Sequence, residues 1–433
     1  MKGRRAFLAG AGAAGLGGLA AWFRPGTAGV LPPAFAGDAL FRDVAAYAEM
    51  GAHRTGGPAD LATARWLAGR LAESGFRVRA QPFAVRQFFP ERVALTVAGR
   101  AFEAHPQWPV TRPELAVAGP LREIGRGPVG APWIALVEFP YDRRARIDLP
   151  GYRASLEAAR AQGATATVAA TPGPTGGIIV MNVPRDASAP PLPTVLARGD
   201  DLPALRRAAA QGGTASIEVR GRIAAAARAR NLVGVRGSRG PWLVVSTPMS
   251  GWTRAAGERG GGVALWRAVA ASAARLGDRR TLMVATSGHE LAHAGAAALL
   301  PALRPLVERH GLDCWFHLGA NVATRDWTVE EGRVRLLDRA HEGRHLIASP
   351  ALLPTLAWCF GGERGLTPAP LLPGLAAGEL ETLAAHGFAP VAGIFGSSLT
   401  HHVALDLPDV ATSPALLEAI GRGLWRFLRD RAG

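Results

Sequence analysis

Trp242-Leu-Val-Val-Ser-Thr-Pro-Met-Ser-Gly-Trp252, Gly257-Glu-Arg-Gly-Gly-Gly262 and Thr281-Leu-Met-Val-Ala-Thr-Ser-Gly-His-Glu-Leu-Ala-His293 are three pieces of one stretch, Pro241 to Gly295. The first and third are apolar runs that end in small and polar residues, and a helical segment lies between them. Two such runs around a helix form a βαβ unit, in which sites gather where loops leave the carboxyl ends of parallel strands. The second of those loops carries His289, Glu290 and His293 in the order H-E-x-x-H. On a helix that spacing puts two imidazoles on one face with a glutamate as base, the pattern of zincin-type metalloproteases. Here it follows a strand, after Ser287-Gly288, and Leu291 to Val307 reads as the helix beyond it.

The texture on either side divides the chain. Residues 37 to 86 read as helix, helix, strand: Pro58 opens a helix with Leu61, Ala64, Leu67, Ala68 and Leu71 on one face, Gly75 stops it, and Phe76 to Phe83 alternates as a strand. From residue 87 to 223 short apolar runs are broken by Gly and Pro, with helical stretches near Tyr152–Ala161 and Leu202–Gln211. No clustered His, Asp or Glu lies there, which argues against chemistry in that module. Residues 231 to 433 form the main α/β domain, closed by a helix from Ser413 to Arg429 with Leu416, Leu417, Ile420, Leu424 and Phe427 at helical spacing.

Composition excludes several classes. At 433 residues, 48% hydrophobic and 19% charged, the chain has enough apolar material for more than one core. The net charge of +15 is almost entirely arginine, since Lys2 is the only lysine, and it is scattered rather than run together. That distribution argues against a nucleic-acid partner. The first 36 residues read as an export signal: Gly3-Arg4-Arg5-Ala6-Phe7-Leu8 has the twin-arginine pattern, and Ala34-Phe35-Ala36 supplies a small-x-small cleavage site. The expected location is periplasmic or extracellular, with a retained short anchor as the alternative. Nothing later is long and apolar enough to span a membrane. With only Cys314 and Cys359, disulfides do not organise the fold, although an oxidising compartment permits one bridge.

Ala118-Gly-Pro-Leu121, Ile134-Ala-Leu-Val137, Ala158-Ala-Arg-Ala-Gln-Gly-Ala164 and Leu192-Pro-Thr-Val195 follow one another as in a protease-associated domain. Asn231 to Arg429, with Gly378-Glu-Leu-Glu381, Phe388-Ala-Pro-Val-Ala-Gly393 and His402-Val-Ala-Leu-Asp406, resembles the di-zinc aminopeptidases of clan MH, the family that includes aminopeptidase Y, glutamate carboxypeptidase and glutaminyl cyclase. The resemblance implies a central mixed, mostly parallel sheet flanked by helices, with an inserted β-rich protease-associated domain. It also implies two zinc ions held by His, Asp and Glu at strand ends, with a glutamate base.

Against that pattern the sequence departs. The first ligand pair, His-x-Asp, aligns with Pro248 and Ser250. The bridging Asp aligns with Glu258, and the Glu-Glu pair with His289-Glu290. The third-strand Asp is missing near Leu318-Gly319-Ala320, although His317 lies beside it. The last histidine matches His402. What the resemblance implies is therefore at most one zinc per chain, on Glu258, Glu290 and His402 with His293 as an extra ligand, and His289 and Glu290 as the catalytic pair. Three protein ligands and one open position suit a catalytic zinc. Ser250, Trp252, His317 and Glu381 are the expected pocket neighbours, although Trp252 also reads as a core aromatic. His53 and Arg54 could face the cleft. Gly260-Gly-Gly262 reads as a tight passage from strand to helix. Three functions stay open: an exported metallohydrolase of peptides or small amides, a catalytically inactive pseudopeptidase that binds them, and a zincin.

Overall fold

Each strand of the βαβ unit is apolar on both faces, and that alone demands cover on both sides. The structure, a computed structural model, describes residues 30–125, 132–184, 186, 188–372 and 378–432. Strand Arg239–Pro248 lies between Arg279–Thr286 and Leu312–Leu318, parallel to both, and Val391–Phe395 continues the parallel set beside Leu312–Leu318. Thr214–Arg236 and His345–Ala348 pair antiparallel on the two sides of this set. The sheet is mixed and mostly parallel at its centre, as expected.

The pleat sorts the side chains. Leu243, Val245, Met283, Ala285 and Phe316 join a core with helices Gly37–Glu49, Pro58–Glu73, Gly261–Ser272 and Pro414–Ala432. Their neighbours Trp242, Val244, Leu282, Val284 and Trp315 join a second core under helices Ala294–His310 and Gly378–Ala385. One strand therefore serves two layers by its two-residue period.

A third core belongs to residues 87 to 223, built from Trp133–Glu138, Ala164–Thr171 and Thr194–Arg198 with helices Pro150–Ala161 and Leu202–Ala210. Here the strand expected over Phe76–Phe83 runs much further, from Arg77 to Val97. It pairs antiparallel with Thr214–Arg236 along nearly its whole length, shifting register at Val85/Gln87 and Pro90/Arg92. Its alternation is blurred by half-exposed positions, so a sequence reading stops it early. Gln87 pairs with Ala224 and Phe88 with Ile223, so the 87–223 module leaves and returns side by side on one ribbon.

Packing bears on the N-terminal segment and on the two cysteines. Residues 1–29, with the twin-arginine motif, lie outside the described residues, but the proposed cleavage site does not. Phe35 is fully buried in the main core and packs on Trp425 at 5.6 Å between ring centroids, so cutting after Ala36 would empty a core position. Cys314 and Cys359 are both buried free thiols rather than a bridge. Among the described residues no helix is long and apolar enough to cross a membrane.

Candidate functional site

The site begins with a carboxylate that is placed by another carboxylate. Ala256–Gly260 form one wide turn at the carboxyl end of the Arg239–Pro248 strand, leading into helix Gly261–Ser272. Asp406 holds that turn: its Oδ1 accepts the Gly257 N–H at 2.8 Å and its Oδ2 accepts the Glu258 N–H at 3.0 Å. A Cβ on Gly257 would fall 2.7 Å from Ala411 Cβ and 2.9 Å from Asp406 Oδ1, so only glycine allows the grip. At Gly262 a Cβ would meet Thr247 Oγ1 at 2.8 Å, which is the close helix-to-strand passage read from the triple glycine. Burial raises the Asp406 carboxyl to about 7 against the pull of those N–H groups.

Held this way, Glu258 is turned inward and is 1% exposed. Its Oε1 lies 2.7 Å from Arg259 Nη2 and 3.2 Å from His402 Nε2. Arg259 is equally buried, and its Nε–H donates to the Ser250 carbonyl at 3.0 Å. His401 stacks on His402 with ring centroids 3.9 Å apart. The His402 Nδ1 lies 2.6 Å from the Val180 carbonyl, so that nitrogen carries the proton and Nε2 faces Glu258. Burial alone would raise Glu258. Arg259, helped by the two histidines beside it, outweighs that and holds the carboxyl well below its usual range. Burial, reinforced by His402, keeps His401 well below the usual histidine range.

The other half of the expected site is arranged differently. Glu290 faces hydrogen-bond donors: Oε1 accepts the Thr55 N–H at 2.9 Å and the Thr55 hydroxyl at 2.6 Å, and Oε2 accepts the Ser250 hydroxyl at 2.7 Å. The Ser250 oxygen in turn accepts the Gly288 N–H at 2.8 Å. His289 Nδ1 lies 3.3 Å from Glu379 Oε1, and Glu379 Oε2 accepts the Thr286 hydroxyl at 2.6 Å. Burial, then the charge of Arg259, keeps His289 well below the usual range and hence neutral. His293 Nδ1 meets Thr382 Oγ1 at 2.9 Å, with its ring 4.6 Å from that of His289. His317 bonds Ser246 through Nδ1 at 2.9 Å, and burial lowers it to about 4. Trp252 is core: its Nε1–H donates to Asn182 Oδ1 at 2.9 Å and its ring packs on Trp108. Glu381 lies two residues beyond Glu379 on the same helix, Gly378–Ala385, and it is Glu379 that meets His289.

The zincin arrangement is not formed. Ala292 and His293 are left-handed, with φ of 56° and 60°, and the helix starts only at Ala294. His289 and His293 therefore do not stand one turn apart on a helix face, and Glu290 is bound up with Thr55 and Ser250. Likewise His53 is no cleft residue: it is fully buried, stacked on Tyr47 at 3.7 Å and bonded to the Tyr47 carbonyl. Arg54 lies over Trp108 and bonds His105 at 2.7 Å.

A zinc aminopeptidase from Bacillus subtilis superposes with a TM-score of 0.71 at 17% identity, over 93% of this chain and 96% of that one. The chain has the zinc-aminopeptidase fold. A Peptidase M28 precursor from Shewanella amazonensis follows the same path, with a TM-score of 0.66, 13% identity and coverage of 92% and 96%. An aminopeptidase from Aneurinibacillus sp. gives 0.58 and 16%, over 90% and 93%. No protein-family model matches the chain, and no curated protein matches its sequence.

On this aminopeptidase fold, one group of potential metal ligands comes together among the described residues: Glu258, His401 and His402, with ligand atoms within 4.8 Å of one another. Glu290 and His293, expected ligands, are not in it. The donor set suits a divalent ion, but the charge does not. A metal on Glu258 Oε1 would sit about 2.1 Å from that oxygen, hence within about 5 Å of the Arg259 guanidinium. At an effective dielectric of about 20, a divalent and a monovalent cation that close repel by about 7 kcal/mol. That is a large part of the roughly 10–16 kcal/mol a structural zinc can supply. With Arg259 in place, these residues do not fit a zinc ion.

Arg259, His401, Glu379 and Thr55 were not legible as site residues. Arg259 had a signal, its position beside a candidate ligand in a turn otherwise made of alanine and glycine. Thr55 and Glu379 had none, since only the fold brings them to Glu290 and His289.

Proposed function

We propose that the chain is an exported pseudopeptidase, a zinc-aminopeptidase fold that binds a peptide or small amide without hydrolysing it. One observation carries this: the buried Arg259 guanidinium is paired with Glu258, the carboxylate that a metal would need. The hydrogen bonds that engage Glu290 point the same way, because they turn both of its oxygens toward Thr55 and Ser250 and away from the Glu258 cluster. His293 and His401 are only half buried, and they mark where a ligand meets the centre.

The test is elemental analysis of the purified mature chain, with hydrolysis of aminoacyl amides and calorimetric titration of short peptides. The expected result is no stoichiometric zinc, no turnover and measurable peptide binding. About one zinc per chain with turnover, both lost in Glu258→Gln, overturns the proposal.

That outcome is the second reading, a single-zinc hydrolase, and one observation favours it. The His402 Nδ1 faces a backbone carbonyl, the arrangement that orients histidines toward metals.

A further inference from the structure

Glu258 poses a problem of charge: both of its oxygens are buried and neither accepts a hydrogen bond. An ionised carboxylate in that state requires a cation. Among the described residues, the permanently charged cation within ion-pair distance of it is the Arg259 guanidinium, at 2.7 Å.

We propose that Arg259 is a built-in cation that stands in for a divalent metal at the Glu258–His401–His402 cluster, and that removing it turns the cluster into a metal site. The inference rests on the reading above, that the native chain is metal-free. Three observations support it. The guanidinium approaches the same oxygen, Glu258 Oε1, that His402 Nε2 approaches from its own direction at 3.2 Å. Its anchor is Ser250, one of the two residues that stand where a ligand pair was expected: Ser250 offers Arg259 a carbonyl, and offers Glu290 a hydroxyl. Finally, Nη1 and Nη2 have no hydrogen-bond acceptor, so the group serves as a charge and not as a donor fork.

The charge arithmetic is consistent. Pro248, Ser250 and Gly319-Ala320 contribute no negative charge, and Glu290 is turned toward Thr55 and Ser250, outside the cluster. One carboxylate remains at the cluster, and one monovalent cation balances it. Two zinc ions would leave the pocket with a large excess of positive charge. The histidines nevertheless keep their geometry, with His402 oriented by Val180, so the donors of a site survive beneath the substitution.

The experiment compares the full mature chain with Arg259→Ala, Arg259→Met and the doubly altered Glu258→Gln/Arg259→Met. Each is dialysed against zinc, analysed elementally, and melted with and without zinc. The native chain is expected to hold no zinc. Arg259→Ala is expected to take up about one ion per chain, at least about a hundredfold more tightly, because a like charge at contact distance has gone. Its melting temperature should rise on adding zinc, and the double variant should fold and bind none. A variant that folds only when zinc is present supports the proposal equally. Folded Arg259→Ala with no more zinc than the native chain overturns the inference and leaves the pseudopeptidase reading intact. One zinc per native chain overturns both. If neither single variant folds with or without zinc while the double variant does, Glu258 requires the guanidinium itself and the inference fails.

Discussion

Asp60 offers a measurable consequence of how dry this centre is. It is 1% exposed at the start of helix Pro58–Glu73. Its Oδ2 accepts the Gly56 N–H and the Ser287 hydroxyl, both at 2.8 Å, while Oδ1 has no partner. Burial, only partly opposed by those two donors, raises its carboxyl to about 8. A carboxyl whose folded value lies above its unfolded value favours the fold at low pH, and that contribution is lost as pH climbs toward the folded value. The loss runs at about 1.4 kcal/mol per unit between roughly pH 4 and pH 8, and so reaches about 4 kcal/mol at pH 7. Asp60→Asn keeps both accepted bonds and replaces the bare oxygen by an amide N–H₂, at a cost of about 1–3 kcal/mol if unmatched. The variant should therefore be less stable than the native chain at pH 4 by about that amount. At pH 7 it should be more stable by about 1–3 kcal/mol, and by more at pH 9. Urea unfolding followed by tryptophan fluorescence across this range reads the difference directly. A stability difference that is the same at pH 5 and pH 9 would refute the reasoning, for it would mean that Asp60 is ionised throughout.

Other outcomes follow from burial. Phe35→Ala should cost about 3–5 kcal/mol in chemical unfolding, the usual loss for a fully packed aromatic. If the chain is exported and trimmed, intact mass should place its N terminus at or before Leu31, and a product beginning at Gly37 would contradict the packing of Phe35. Cys314 and Cys359 should resist a thiol reagent in the native chain and react fully once unfolded. Burial pushes the Cys359 thiol up to about 12 and that of Cys314 higher still, so neither is a thiolate at neutral pH. A Cys314–Cys359 linked peptide in a non-reducing digest would count against this.

Much of the fold was legible because burial on two faces writes an unmistakable pattern. Trp242–Val245 and Leu282–Ala285 are continuous apolar runs, and both are central parallel strands. The helix at 414–432 starts one residue after, and ends three residues beyond, the span read from its leucine spacing. Arg77–Val97 was cut short because a ribbon exposed along one side shows weak alternation, and the hairpin Arg325–Glu330 with Arg333–Ala340 went unseen for the same reason. At the site, Glu258 and His402 could be found by type and position. The role of Arg259 could not, because an arginine on a glycine-rich turn looks like surface until the turn is folded inward. His289-Glu290-x-x-His293 misled in the opposite way: the spacing is that of a helix, and two left-handed residues keep it from being one.

The contact between Val180 and His402 also bears on how the molecule is put together. The Val180 N–H donates to the His402 carbonyl at 3.0 Å, the Val183 N–H donates to the Glu290 carbonyl at 3.2 Å, and His402 Nδ1 turns to the Val180 carbonyl. Val180 and His402 are 222 residues apart in sequence, so the seam ties the 87–223 stretch to the last part of the chain. Without it, His402 would lose the carbonyl that fixes its ring, and the Glu258–Arg259 pair would stand open to water. A chain in which this seam had opened would carry a hydrated, flickering ion pair where the closed protein holds a sealed one.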